Sequence, residues 1–129
     1  MAVGSRAIGL ALAVLVVAAL ALGAGPGTAR AADDDAAALY RTYCVQCHGL
    51  KGKGNGVNVR DMSVQPRDHT DPEGMGGLSD ARIFKAIKEG GPAVTKSVLM
   101  PPWGGVLSDE QIHSLVRYLR TLCECQGRG

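Results

Sequence analysis

Cys44, Cys47 and His48 narrow what this chain can become more than any other feature. On a helix they stand at i, i+3 and i+4, so two thiols and an imidazole project from one side. Immediately after them comes a stretch, residues 49–77, with seven glycines and two prolines. A structureless loop of that length inside a compact domain needs something to wrap. The triad admits three uses: a redox dithiol, part of a zinc site, or two covalent anchors beside an iron ligand.

The surrounding sequence weighs these uses differently. A thioredoxin-like dithiol sits beside a βαβ pattern, and no segment here alternates as a strand does. A zinc site would have to borrow Cys123 and Cys125, which begin 76 residues beyond Cys47. That lies far outside usual ligand spacing. The order Cys-x-x-Cys-His reads instead as attachment of a c-type haem. The two thiols form thioethers with the vinyl groups, and the adjacent imidazole faces the iron. The run Gly52-Lys53-Gly54-Asn55-Gly56 is not a phosphate loop, because no Gly-Lys-Ser/Thr follows it. Its glycines serve either close approach of backbone to the porphyrin edge or simple turns.

The N-terminus places this chemistry outside the cytoplasm. Arg6 precedes an uncharged run from Ala7 to Gly25, and an A-x-A pattern at Ala29 and Ala31 follows. That order reads as a secretory signal peptide over residues 1–31. The rival reading is an uncleaved membrane anchor, since the apolar run approaches a transmembrane length. Cleavage leaves residues 32–129, one domain of 98 residues. Its aromatic complement is Tyr40, Tyr43, Phe84, Trp103 and Tyr118, which leaves the centre of so small a domain short of side chains. Arg6 and Arg30 leave with the leader, so the remainder carries twelve residues of each sign and no formal net charge. A nucleic-acid partner is therefore not indicated.

Three helices are predicted, separated by Gly- and Pro-rich loops. The first begins after Asp33–Asp35, whose charge suits a helix N-terminus, and runs to about His48, where Gly49 ends it. The other two open alike, with Ser79 and Ser108 as N-caps. Leu78/Ile83 and Leu107/Ile112 have the spacing of hydrophobic staples, and Gln111 completes a capping box. Gly90-Gly91-Pro92 stops the middle helix. The last carries an apolar stripe through Leu115, Val116, Leu119 and Leu122.

A haem iron held by His48 has a sixth position, for which Met62, Met75, Met100, His69 and His113 are candidates, with a lysine, Cys123 or Cys125 behind them. Met100 is the best placed. It stands in a non-helical stretch before Pro101-Pro102, which hold the chain extended and stiff. Met62 and Met75 read as core methionines. His69, in a charged loop, and His113, on a polar helix face, read as solvated.

On these residues the chain resembles the small single-haem class I cytochromes c. The likeness rests on "YCVQCHGLKGKGNG", "LMPPWGG" and the closing "LSDEQIHSLVRYLRTL", and spans roughly residues 36–122. It implies an all-α cytochrome c-like fold: three main helices and long loops around one covalently attached haem c. It also implies thioethers at Cys44 and Cys47, proximal ligation by His48 and distal ligation by Met100. The closing helix would cross the first, with Tyr118 and Leu119 near Tyr40 and Tyr43. Pro66 is a counterpart for the loop proline whose carbonyl accepts from the proximal histidine. Cys123 and Cys125 depart from the pattern. An i, i+2 disulfide there is expected to be strained; an intermolecular bridge, a metal contact and idle thiols are the other options.

Two protein ligands on the iron leave no coordination site for a substrate. The expected role is therefore outer-sphere electron transfer in the periplasm, between transient redox protein partners, with no catalytic residues. There would be no membrane association once the leader is removed, and an anchor if it is retained. The alternatives are a haem subunit of a larger dehydrogenase or reductase, and a gas-binding or catalytic haem protein with a displaceable sixth ligand.

Overall fold

A computed structural model describes residues 27–128, with side chains from residue 35 onward. Among the described residues the chain is all-α, without a strand. Helix α1 spans Gly27–Tyr43 and α2 spans Val45–His48. After a 3₁₀ turn at Val57–Val59 come α3 (Pro72–Gly76) and α4 (Asp80–Glu89). A second 3₁₀ turn, Gly91–Val94, precedes α5 (Asp109–Cys123). Ala31–Gly129 form one compact unit. The leader expected over residues 1–31 lies outside the described residues except for its last few positions. Among the described residues no helix is long and apolar enough to cross a membrane.

Helix α1 is already helical at Gly27, the first described residue, rather than beginning after Asp33–Asp35, so these aspartates lie in its body. Ala29, Arg30, Ala31 and Ala32 before them have high intrinsic helix propensity. At its other end the helix pauses for one residue at Cys44 (φ −112°, ψ −30°) before α2 carries Cys47 and His48. Gly49, at φ 78° and ψ 155°, then ends it.

The serine starts behave as expected. Ser79 Oγ accepts from the Arg82 N–H at 3.2 Å. Ser108 Oγ accepts from the Gln111 N–H at 3.3 Å, and Gln111 Oε1 accepts from the Ser108 N–H at 2.9 Å. The loop 49–77 is less irregular than expected, since Asp71 caps the short α3 by accepting from the Glu73 N–H at 3.1 Å. Pro72 at the start of that helix costs no hydrogen bond, because the first-turn N–H groups have no helical partner.

Helix α5 supplies the centre of the core. Ile112, Leu115, Val116, Leu119 and Cys123 are buried on one face, and each of the four aliphatic side chains stabilises by roughly 1.5–3 kcal/mol relative to exposure. They pack with Tyr40, Met75, Ile83, Ile87 and Leu107. The Tyr40 and Tyr118 rings meet at 5.3 Å, so Tyr118 lies near Tyr40 as expected. Tyr43 instead meets Trp103, also at 5.3 Å.

One charged residue ties α5 to the α3–α4 corner. Arg120 donates to the Met75 and Leu78 carbonyls, each at 2.7 Å, and to Asp80 Oδ1 at 2.7 and 2.9 Å. Its planar fork satisfies three acceptors at once, which a lysine ammonium on a single stem does not.

Beyond α5, Cys123 and Cys125 form a disulfide with a Cα–Cα distance of 5.1 Å, within the ordinary range. The intermolecular bridge, the metal contact and the idle thiols considered for these cysteines give way to this pairing. The intervening Glu124 takes up the turn in the left-handed region, at φ 51°.

Candidate functional site

The sequence puts the triad at the end of a helix, and the structure shows what the following loop does with it. The Gly54 N–H donates to the His48 carbonyl at 2.8 Å and the Gly56 N–H to the Cys47 carbonyl at 3.0 Å. These bonds satisfy carbonyls that a helix C-terminus leaves free. Gly54 sits at φ 71°, and a Cβ there would collide with the Pro66 carbonyl. Of the two uses considered for these glycines, Gly54 thus serves a turn against protein backbone.

That packing brings the later part of the loop to His48. Its Nδ1–H donates to the Arg67 carbonyl at 3.1 Å. A carbonyl only accepts, so Nδ1 carries the proton and Nε2 keeps its lone pair for a metal. Burial pushes the His48 imidazolium pKa down, while the Arg67 carbonyl pulls it up. The expected acceptor was Pro66; the observed one is its neighbour, because the Pro66 carbonyl turns toward Gly54.

Cys44 and Cys47 are half-buried free thiols. Burial, with Cys47 beside it, pushes the Cys44 thiol up to about 12, so it rests protonated.

His69 is the main correction to the sequence reading. Expected in solvent, it is 8% exposed. Its ring stacks on His48 with centroids 4.1 Å apart and planes 16° from parallel. Its Nδ1 shares a 3.1 Å hydrogen bond with the Tyr40 hydroxyl. Burial, with His48 and Arg67 nearby, pushes its pKa down to about 3, so it is neutral. His113 is exposed as expected, with its ring 4.5 Å from that of Phe84.

Met100 is held by backbone. The Gly91 N–H donates to its carbonyl at 2.9 Å, and its own N–H donates to Ser97 O at 3.2 Å. Beyond Pro101-Pro102, the Trp103 and Gly104 N–H groups donate to the Ile87 and Lys88 carbonyls, each at 3.0 Å. The end of α4 thus finds its partners in the segment that presents Met100. Gly90, at φ 84° and ψ 172°, permits the approach, since a Cβ would lie 2.9 Å from the Met100 carbonyl and 3.0 Å from the Pro102 nitrogen.

The triad and most of the candidate ligands border one cavity of about 750 Å³, and His113 does not. Cys44, Cys47 and His48 line it, as do Met62, Met100 and His69; Ile83, Ile87, Trp103, Leu115 and Leu119 give it apolar walls. Met75 also reaches it while packing in the core as expected, 1% exposed. Met62 is half-buried on the loop rather than a core residue. A haem passes the chemical test this site sets. Two unpaired thiols, an imidazole with a free Nε2, a thioether sulfur and an apolar enclosure of cofactor size converge on it. Among the described residues, no group of three or more His, Cys, Asp or Glu side chains is arranged to hold a bare metal ion.

Comparison with known proteins gives a concordant picture. Residues 31–119 match the family described as cytochrome c oxidase, cbb3-type, subunit III. No curated protein matches the sequence. Among solved structures, the Kuenenia stuttgartiensis reducing HAO-like protein complex Kustc0457/Kustc0458 is similar at 30% identity and TM-score 0.56. The match covers 68% of this chain and 41% of that one, so it spans less than half of that neighbour's length. The KustC0563 c-type cytochrome is similar at 31% identity and TM-score 0.55, covering 68% of this chain and 96% of the other.

Proposed function

This chain belongs to the c-type cytochromes, in the family of cbb3-type cytochrome c oxidase subunit III, and from that premise we propose an exported, single-haem electron carrier with His48 and Met100 on the iron. The family and its structural neighbours make it a haem protein of electron transfer. The observation that carries the finer reading is the Met100 segment, clamped to the end of α4 and bordering the same cavity as Cys44, Cys47 and His48.

Haem bound there supplies a one-electron iron couple. Cys44 and Cys47 would hold it through thioethers, and His48 would offer Nε2 because Arg67 O fixes its tautomer. Met100 presents its sulfur from a segment whose backbone is bonded on both sides of Pro101-Pro102. Such preorganisation keeps the ligands nearly still between oxidation states, and methionine ligation raises the potential. The apolar walls exclude water and tune the couple further. With His48 and Met100 both holding the iron, no position would be open to a substrate, so the role would be carriage between redox protein partners. The leader would place it in the periplasm.

A second reading draws on the neighbour that belongs to a reducing HAO-like protein complex: a haem subunit docked in a larger redox assembly. A catalytic or gas-binding role is the third. Optical spectra separate them. The carrier reading expects a far-red methionine-to-iron band in the ferric protein, its loss in Met100→Ala, and no carbon monoxide binding by the ferrous protein. Survival of the band in Met100→Ala removes Met100 from the iron, and ready carbon monoxide binding overturns the carrier. Sedimentation from the native source in a stable complex would favour the subunit.

A further inference from the structure

The Cys123–Cys125 bridge lies outside the cavity and plays no part in haem attachment. Its local chemistry is unusual for a staple. The loop it closes holds a single residue, Glu124, so it restrains almost none of the unfolded chain. It joins no two elements that the chain does not already join. It holds a glutamate in the left-handed region at φ 51°, where glycine or asparagine is the common choice at a helix C-terminus.

The two sulfurs also differ. Cys123 is buried in the core at 3% exposure, whereas Cys125 is half-buried at the surface. Arg120 Nη1 lies 3.7 Å from Cys125 Sγ, and the Cys125 N–H donates to the Arg120 carbonyl at 3.3 Å. Asp80 balances the Arg120 charge, and what favours the thiolate of the accessible sulfur is the Nη1–H donor aimed at it. The same guanidinium bonds the Met75 and Leu78 carbonyls, so it stays beside the bridge through contacts independent of the sulfurs.

We infer that Cys123–Cys125 is a second redox site, a disulfide that exchanges two electrons with dithiol reductants through Cys125. A thiolate of the reductant attacks Cys125 Sγ, the Cys123–Cys125 bond breaks, and Cys123 leaves as a thiolate and takes up a proton. The second thiol of the reductant then attacks its own sulfur in the mixed disulfide. Cys125 departs as a thiolate beside Arg120, and the reductant leaves as its cyclic disulfide. In the reverse direction Cys125 is the nucleophile and Cys123 the resolving thiol. The balance is two electrons and two protons from the dithiol to the bridge.

The test uses folded, full-length holoprotein. Equilibrate it without denaturant in buffers of reduced and oxidised dithiothreitol or glutathione, quench with an alkylating reagent, digest with trypsin, and measure peptide 121–128. Cleavage at Arg120 and Arg128 isolates both cysteines from Cys44 and Cys47. Reversible opening across the dithiothreitol series supports the site. So does alkylation of Cys125 faster than Cys123 by about tenfold or more at neutral pH, as expected for a stabilised, accessible thiolate. A bridge that stays closed in fully reduced dithiothreitol and opens only on denaturation overturns it, as do equal alkylation rates. In Arg120→Gln the Cys125 rate should fall while that of Cys123 changes little. In Cys123→Ser, which keeps Arg120, Cys125 should retain its fast alkylation; a slow Cys125 there refutes the role given to the arginine.

Discussion

Remove the haem and the fold should go with it. The chain's own side chains leave about 750 Å³ unfilled between α1, α4, α5 and the loop that reaches Arg67. Residual cavity volume costs about 24 cal/mol per Å³ in rigid cores, so a dry cavity of this size would cost about 18 kcal/mol. Its mouth opens to solvent, and water there relieves part of the cost. Even half, about 9 kcal/mol, equals the whole stability of a typical small domain, roughly 5–15 kcal/mol. The perturbation is Cys44→Ser/Cys47→Ser with the protein produced free of haem. Circular dichroism in the near and far ultraviolet, with urea titration, provides the assay. The haem-free chain should keep part of its helix signal, lose its aromatic signal, bind a hydrophobic dye and melt without a cooperative transition. The holoprotein should unfold in one step. Cooperative unfolding of the haem-free chain with several kcal/mol of stability and an unchanged m-value would refute the reasoning, since the walls would then have closed on themselves.

Other outcomes follow from single contacts. Arg120→Lys should cost about 2–3 kcal/mol in urea denaturation, since partly buried carbonyls at Met75 and Leu78 lose a charged donor; a loss under 0.5 kcal/mol would show that the fork is dispensable. Gly90→Ala should cost roughly 1–3 kcal/mol for a backbone conformation almost reserved to glycine. It should also weaken the far-red band by displacing Met100, whereas a full band at wild-type stability counts against the clamp. Tyr40→Phe should cost about 1–3 kcal/mol by leaving His69 Nδ1 unpaired in the interior. Tyr40→Phe/His69→Phe should recover much of that loss, and additive losses would mean the pair does not act as one.

Much of this was legible because local grammar and chemistry agreed. Ser79, Ser108 and Gln111 announce their helices by hydrogen bonds confined to one turn, which need no tertiary context. The apolar stripe of α5 and the stiff Met100-Pro101-Pro102 segment are equally local. What escaped was set by distance in sequence or by backbone. The Arg67 carbonyl carries no side-chain signature, and Pro66 pointed within one residue of it. His69 looked solvated because its neighbours are charged, and only the folding back of the loop buries it against His48 and Tyr40. Arg120 occupies an ordinary polar position in the helix pattern; its partners lie some 40 residues earlier, beyond the reach of periodicity. The bridge at Cys123–Cys125 was expected to be strained, and Glu124 accommodates it by adopting a conformation that its residue type does not advertise.

The most direct test of the whole reading is the intact mass of the protein purified from its native compartment, taken after full denaturation. The expected result is one species, residues 32–129 plus a single haem that survives denaturation and acid extraction, with the added mass mapping to the peptide carrying Cys44 and Cys47. A haem released by denaturation, or a mass without one, would contradict covalent attachment at that pair and with it the assignment of the site.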